Sequence, residues 1–196
     1  MLGGLFKKKE HPPAHFLVAQ LNARLQPMHR AERFEEGLDD KLLKTKLGEI
    51  SGGGTMQSQT GEVEYCDIEI KLNLSSPETE RLVIDTLEAL GAPKGSKLRI
   101  AADERVIPFG VNEGLAVYLN GTDLPPETYK KYTLEMLEGE LDRVLEDHGH
   151  VFSVWRGPTE TALYLYGPSF AEMTKLLEPF LGGHPLCERY RLEQIA

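Results

Sequence analysis

Residues 51–55 read SGGGT. Glycine runs hold phosphate where their N–H groups lead into a helix N-terminus, followed by Lys and Ser or Thr. Here the glycines lead into a hairpin, so the stretch reads as a bulge or a flexible strand end. GAPKGSK, Gly91 to Lys97, fails the same spacing and reads as a turn between a helix and a strand. His148 and His150 are two apart, so on a strand both rings would point to one side and could share a metal; the spacing places no third ligand. Neither a metal nor a cofactor is therefore expected. His29 lies with Arg30 and Arg33 in QPMHRAERF, where the group could meet an anion or stand in a solvated loop. There is no GxSxG elbow, and neither Cys66 nor Cys187 sits beside a histidine. The pairs Glu35/Glu36 and Asp39/Asp40 fall on helical surface, where solvated charge explains them. No catalytic residue is assigned.

Charge is the stronger signal. The chain of 196 residues carries a net charge of -9. Residues 1–100 hold 14 basic and 15 acidic side chains, and residues 101–196 hold 8 and 16, so the excess acid lies in the second half. That balance argues against nucleic acid, whose phosphates require clustered Lys and Arg. Glu135, Glu138, Asp142 and Glu146 recur at three- or four-residue steps and form one acidic ridge on a helix. A basic partner would relieve their repulsion, and Trp155 with Arg156 nearby are residue types enriched in binding hot spots. The expectation is a non-enzymatic binding protein, immunity-type or regulatory, that engages a basic protein partner through this ridge. No apolar run is long enough for a membrane helix and MLGGLFKKKEHPP lacks a signal-peptide h-region, so a cytoplasmic, reduced protein is expected.

The elements that would carry these groups come in two sets. LVAQLNA (Leu17 to Ala23) and LAVYLNG (Leu115 to Gly121) share an alternation that places leucines on one side of a strand. Each is followed by a helical pattern, with Phe34, Leu38 and Leu42 in the first and Leu134, Leu137, Leu141, Val144 and Leu145 in the second. A hairpin follows in each half. Then comes a second helix, opening at Ser76 and Pro77 or at Pro168 and Ser169. Short strands close the halves at Ser96 to Ala101 and Cys187 to Ile195. Both halves read strand, helix, strand, strand, helix, strand.

This order resembles the ferredoxin-like βαββαβ unit, an antiparallel sheet with helices on one face. The implied fold is α+β, a tandem duplication of that unit. A flexible segment 1–14 would precede a first half at 15–101, with an irregular linker at 102–114 and a second half at 115–196. The leucine phases should face the helices, because burying each leucine is worth roughly 1.5 to 3 kcal/mol. The opposite faces would then carry Asn22, Arg24, Tyr65 and Asp67 in the first half and Tyr118, Asn120 and Tyr164 in the second. If those faces pack together as in dimeric α+β barrels, the seven residues would line a pocket. That is the alternative expectation: an enzyme or small-molecule-binding protein with its site between the sheets. Homo-oligomers formed by edge-strand pairing are a third.

Overall fold

The computed structural model describes residues 15–196, so the segment 1–14 lies outside it. The fold is α+β with two antiparallel sheets. The first module contains β1 (His15–Leu21), α1 (Pro27–Arg30), α2 (Glu36–Thr45), β2 (Gly48–Gln57), β3 (Val63–Leu72), α3 (Pro77–Ala89) and β4 (Ser96–Ile100). A short β5 (Val106–Phe109) then adds a fifth strand, giving the order β2-β3-β1-β4-β5. The second module contains β6 (Glu113–Asn120), α4 (Pro126–Lys131), α5 (Leu134–Leu145), β7 (His150–Arg156), β8 (Glu160–Gly167), α6 (Phe170–Leu181) and β9 (Arg191–Gln194), in the order β7-β8-β6-β9. In both, the first strand lies between the third and fourth with the second outermost, which is the ferredoxin-like arrangement.

Local chemistry sets the ends of these elements. Ser76 accepts from the Thr79 N–H and Ser169 from the Glu172 N–H, so each caps its helix. Thr133 does the same for α5 through Met136. The leucine phase faces the helices in both modules: Leu17, Ala19 and Leu21 pack on Leu38, Leu42, Val83 and Leu87, and Leu115, Val117 and Leu119 pack on Leu137, Leu141 and Leu177. Among the described residues, no helix is long and apolar enough to cross a membrane.

Three local expectations are corrected. Ala102 to Gly114 is not irregular throughout, because Val106–Phe109 pairs with β4. Its Pro108 lies on the outermost strand, where a missing N–H breaks no ladder. The first helix is not continuous: five residues, Ala31–Glu35, form a π turn between α1 and α2. Cys187 stands in a buried 3-10 turn rather than a strand. The end of α5 comes at Leu145, where Glu146 takes a left-handed φ of 49°, before Gly149.

SGGGT acquires a structural role. These residues lie in β2, with a bulge between Ile50 and Gly52. Arg30, only 7% exposed, lays its guanidinium against this strand and donates to the Gly54 carbonyl (2.7 Å) and Thr55 Oγ1 (3.1 Å), while pairing with Glu35. A Cβ on Gly53 would stand 2.7 Å from Arg30 Nη2 and 2.8 Å from the Asp67 carbonyl. The glycine makes room for a buried cation.

Candidate functional site

The two modules meet through the face of the second sheet that its own helices do not cover. Ala116, Tyr118, Ala162, Tyr164 and Tyr166 are on that face, and all are buried. Their cover comes from the first module: Ala23, Leu25 and Phe34 belong to the same apolar cluster. Phe34 meets the Phe152 ring at 6.2 Å, the Arg33 guanidinium lies 4.6 Å over that ring, and His29 Nδ1 is 3.0 Å from Ser153 Oγ. His29 and Arg33 thus serve the seam between modules.

At one end of this seam sits a polar cluster. Glu62, from the turn between β2 and β3, accepts on a single oxygen from Tyr118 Oη (2.6 Å), Tyr164 Oη (2.6 Å) and Arg24 Nη1. Arg24 Nη1 also donates to Tyr118 Oη (2.7 Å), and the Arg24 backbone N–H donates to Tyr166 Oη (2.8 Å). Arg191 stacks 3.7 Å over the Tyr118 ring. Burial alone would raise the Glu62 pKa, but hydrogen bonds from both phenols and the Arg24 charge outweigh it and hold the carboxyl below its ordinary value. Burial, then the Glu62 hydrogen bond, pushes Tyr118 up to about 12, and the same two causes raise Tyr164 further. Near neutral pH the cluster is one ionised carboxylate with three donors on one of its oxygens. Such a carboxylate fastens modules together and is a poor base.

The structure therefore unites three of the seven residues expected around a pocket, Arg24, Tyr118 and Tyr164, with side chains filling the space between them. Asn22 is elsewhere, donating its backbone N–H to Ser96 Oγ and its side-chain amide to the Lys94 carbonyl. Asn120 Oδ1 closes a turn by accepting from Thr122 and Asp123 N–H. Tyr65 and Asp67 lie on the uncovered face of the first sheet. Glu62, the acceptor at the centre, carries no motif and pairs with residues 38 to 102 positions away.

The acidic ridge is partly satisfied from within. Glu135 pairs with Arg156 at 3.4 Å, and Asp142 accepts the Val151 N–H at 2.8 Å. Glu138 is raised, first by burial and then by the Glu135 and Asp142 charges, and Glu146 is exposed. Trp155 is buried at 9% exposure in the seam cluster, so its ring is not presented to a partner. His148 and His150 face different carboxylates, Glu172 and Asp142.

A second site was not anticipated from sequence. A cleft of about 260 Å³ opens at the end of the second sheet, beneath the junction of α4 and α5. Leu119, Leu134 and Leu186 give apolar walls, Tyr129 and Tyr132 aromatic ones, and Thr133, Thr161, Asn120 and Arg156 the polar groups. Register places it: Leu119 pairs with Thr161, and Thr161 with Arg156, so the three form one row under the N-terminus of α5. Tyr129 Oη braces the rim, donating to the Asn120 carbonyl and accepting the Leu124 N–H. At this rim the Glu135 carboxyl is held below its ordinary value by its own backbone N–H, by Thr133 and by Arg156. The place favours a carboxylate.

Neither a family model nor a curated protein matches the sequence. Among solved structures the chain is similar to a proposed monooxygenase from Lactobacillus acidophilus NCFM, at 11% identity, 92% coverage of both chains and a TM-score of 0.28. It is likewise similar to a proposed chlorite dismutase, at 11% identity, 91% coverage of this chain, 90% of the other and a TM-score of 0.28. Likeness at this level carries no chemistry from those proteins to this one.

Proposed function

We propose that this chain is a small-molecule-binding protein whose second module takes up a carboxylate attached to an apolar or aromatic body. The observation that carries the reading is the cleft under α5, where leucine and tyrosine walls converge on Arg156 and a helix N-terminus. The apolar body would lie against Leu119, Leu134, Leu186 and Tyr132. Its carboxylate would take the position that Glu135 now occupies beside Arg156.

Titration calorimetry with aryl-propionate and medium-chain fatty acid probes tests this. Saturable binding is expected, weakened about tenfold to a hundredfold in Arg156→Gln, as loss of one charge-assisted hydrogen bond dictates. Glu135→Gln removes the internal competitor and is expected to strengthen binding. Absence of saturable binding, or indifference to Arg156, would refute the assignment.

One observation favours a second reading, a basic protein partner on the acidic ridge. Glu138 stands half-buried between Glu135 and Asp142, whose charges add to burial in raising its pKa, and a cation there would relieve it. The readings part at Glu135, since Glu135→Gln weakens a basic partner and strengthens a carboxylate ligand.

A further inference from the structure

We propose that the uncovered face of the first sheet is the interface of a homodimer, two copies stacked sheet on sheet about a two-fold axis that runs along β1. The first module's helices cover one face of its sheet, and the second module is fastened through segment 22–34 and Glu62, so the other face has no partner within the described chain. That face is not ordinary solvated surface. It holds three exposed large apolar side chains, Phe16, Met56 and Val106, at 50%, 46% and 54% exposure. It also holds Asp67 Oδ1, which is buried and, among the described residues, accepts no hydrogen bond and has Arg99 Nη2 as its nearest cation, at 3.7 Å.

The choice of a second copy as occupant comes from charge and size along the rows of the sheet. Reading from β2 to β5, one row runs Gly52, Glu69, Val18, Arg99, Val106. The next runs Gly54, Asp67, Gln20, Lys97, Pro108. In each row an acid lies one strand to one side of β1 and a base one strand to the other. A two-fold axis along β1 lays every row on its own reverse. Glu69 then faces the partner's Arg99, and Asp67, with its unsatisfied oxygen, faces the partner's Lys97. The glycines oppose the partner's Val106 and the partner's Pro108, small against large, and Val18 meets the partner's Val18 on the axis.

An axis perpendicular to the strands would instead oppose like charges, which are destabilising, so the pattern selects one of the two ways to stack the face on itself. Packed sheets cross at about 30°, which displaces the strand beside the axis by roughly 2.4 Å, within reach of Lys and Arg side chains. Glycines at 52 and 54 keep the outer strand low enough for the partner to approach.

Sedimentation velocity on the full chain tests the proposal. Wild type is expected at twice 21.9 kDa. Two variants, Lys97→Glu/Arg99→Glu and Asp67→Lys/Glu69→Lys, should each dissociate, with affinity reduced about a hundredfold and the far-ultraviolet circular dichroism retained. Mixed in equal amounts they should restore a dimer, because each supplies the charge the other lost. Should either variant fail to fold, Gln20→Cys with a short bismaleimide replaces it: Gln20 lies beside the axis, both native cysteines are buried, and efficient cross-linking is expected. A monomeric wild type, a dimer that survives both reversals, a mixture that stays monomeric, or no cross-linking through residue 20 would overturn the interface.

Discussion

At the scale of single residues, Glu62 is the group on which most depends. One of its oxygens accepts from Arg24, Tyr118 and Tyr164, so truncating it strands a cation and two phenols at once. Removing one partner of such a cluster is costly because the others lose their compensation for lost water, although side-chain exposures near 20% for Arg24 and Glu62 soften the penalty. Glu62→Ala is expected to lower unfolding free energy by about 2 kcal/mol in urea titrations. The pH dependence has two sides. The folded Glu62 pKa lies below the ordinary 4.5, so the unfolded carboxyl takes its proton first; its stabilising contribution is present above pH 4.5 and lost as pH falls through the folded value. Tyr118 is raised from 10 to about 12, so its contribution is complete below pH 10 and lost as pH rises toward 12. Glu62→Gln should flatten the acid limb in pH-dependent melting, and an unchanged limb would remove Glu62 from the account.

At the scale of elements, the glycine strand makes its own test. Gly53→Ala drives a methyl group into Arg30 and the Asp67 carbonyl, whereas Gly54→Ala meets only Asp67 Cβ at an ordinary 3.9 Å. Thermal melting at protein dilute enough to be monomeric should show Gly53→Ala destabilised by about 1 to 3 kcal/mol and Gly54→Ala nearly neutral; equal effects would contradict the packing of Arg30. The strands and caps were legible in sequence, because LVAQLNA and LAVYLNG alternate cleanly and Ser76, Pro77 and Ser169 are strong local signals. The order of elements was legible for the same reason. Less visible were features set by distant neighbours. Strand β5 hides behind Pro108, which only an outermost strand accommodates. Trp155 could be given no side from sequence, since the bulge between Val151 and Ser153 shifts the phase of β7. Of the cleft under α5, Asn120 and Arg156 drew notice for other reasons; what assembles it is the register of three strands beneath that helix, which no local pattern records.

At the scale of the molecule, the two modules share a topology and differ in what covers them. Tyr118, Tyr164 and Tyr166 would crowd a free sheet face in an isolated second module, and here they are sealed by Ala23, Leu25, Phe34 and the Glu62 cluster. The first module's sheet keeps its charged face outward. Sequence predicted polar and aromatic faces for both sheets but held no means of telling which would be sealed, because the choice rests on Glu62 and Arg24 reaching across the seam. The ligand binding proposed for the second module and the pairing proposed for the first both presuppose this joined body. Its direct test is denaturant unfolding at fixed protein concentration, followed together by far-ultraviolet circular dichroism and by emission of Trp155, the sole tryptophan, buried in the seam. The two signals are expected to trace one coincident transition. Trp155 emission shifting at clearly lower denaturant, while secondary structure persists, would show modules that part before they unfold and would contradict the sealed seam.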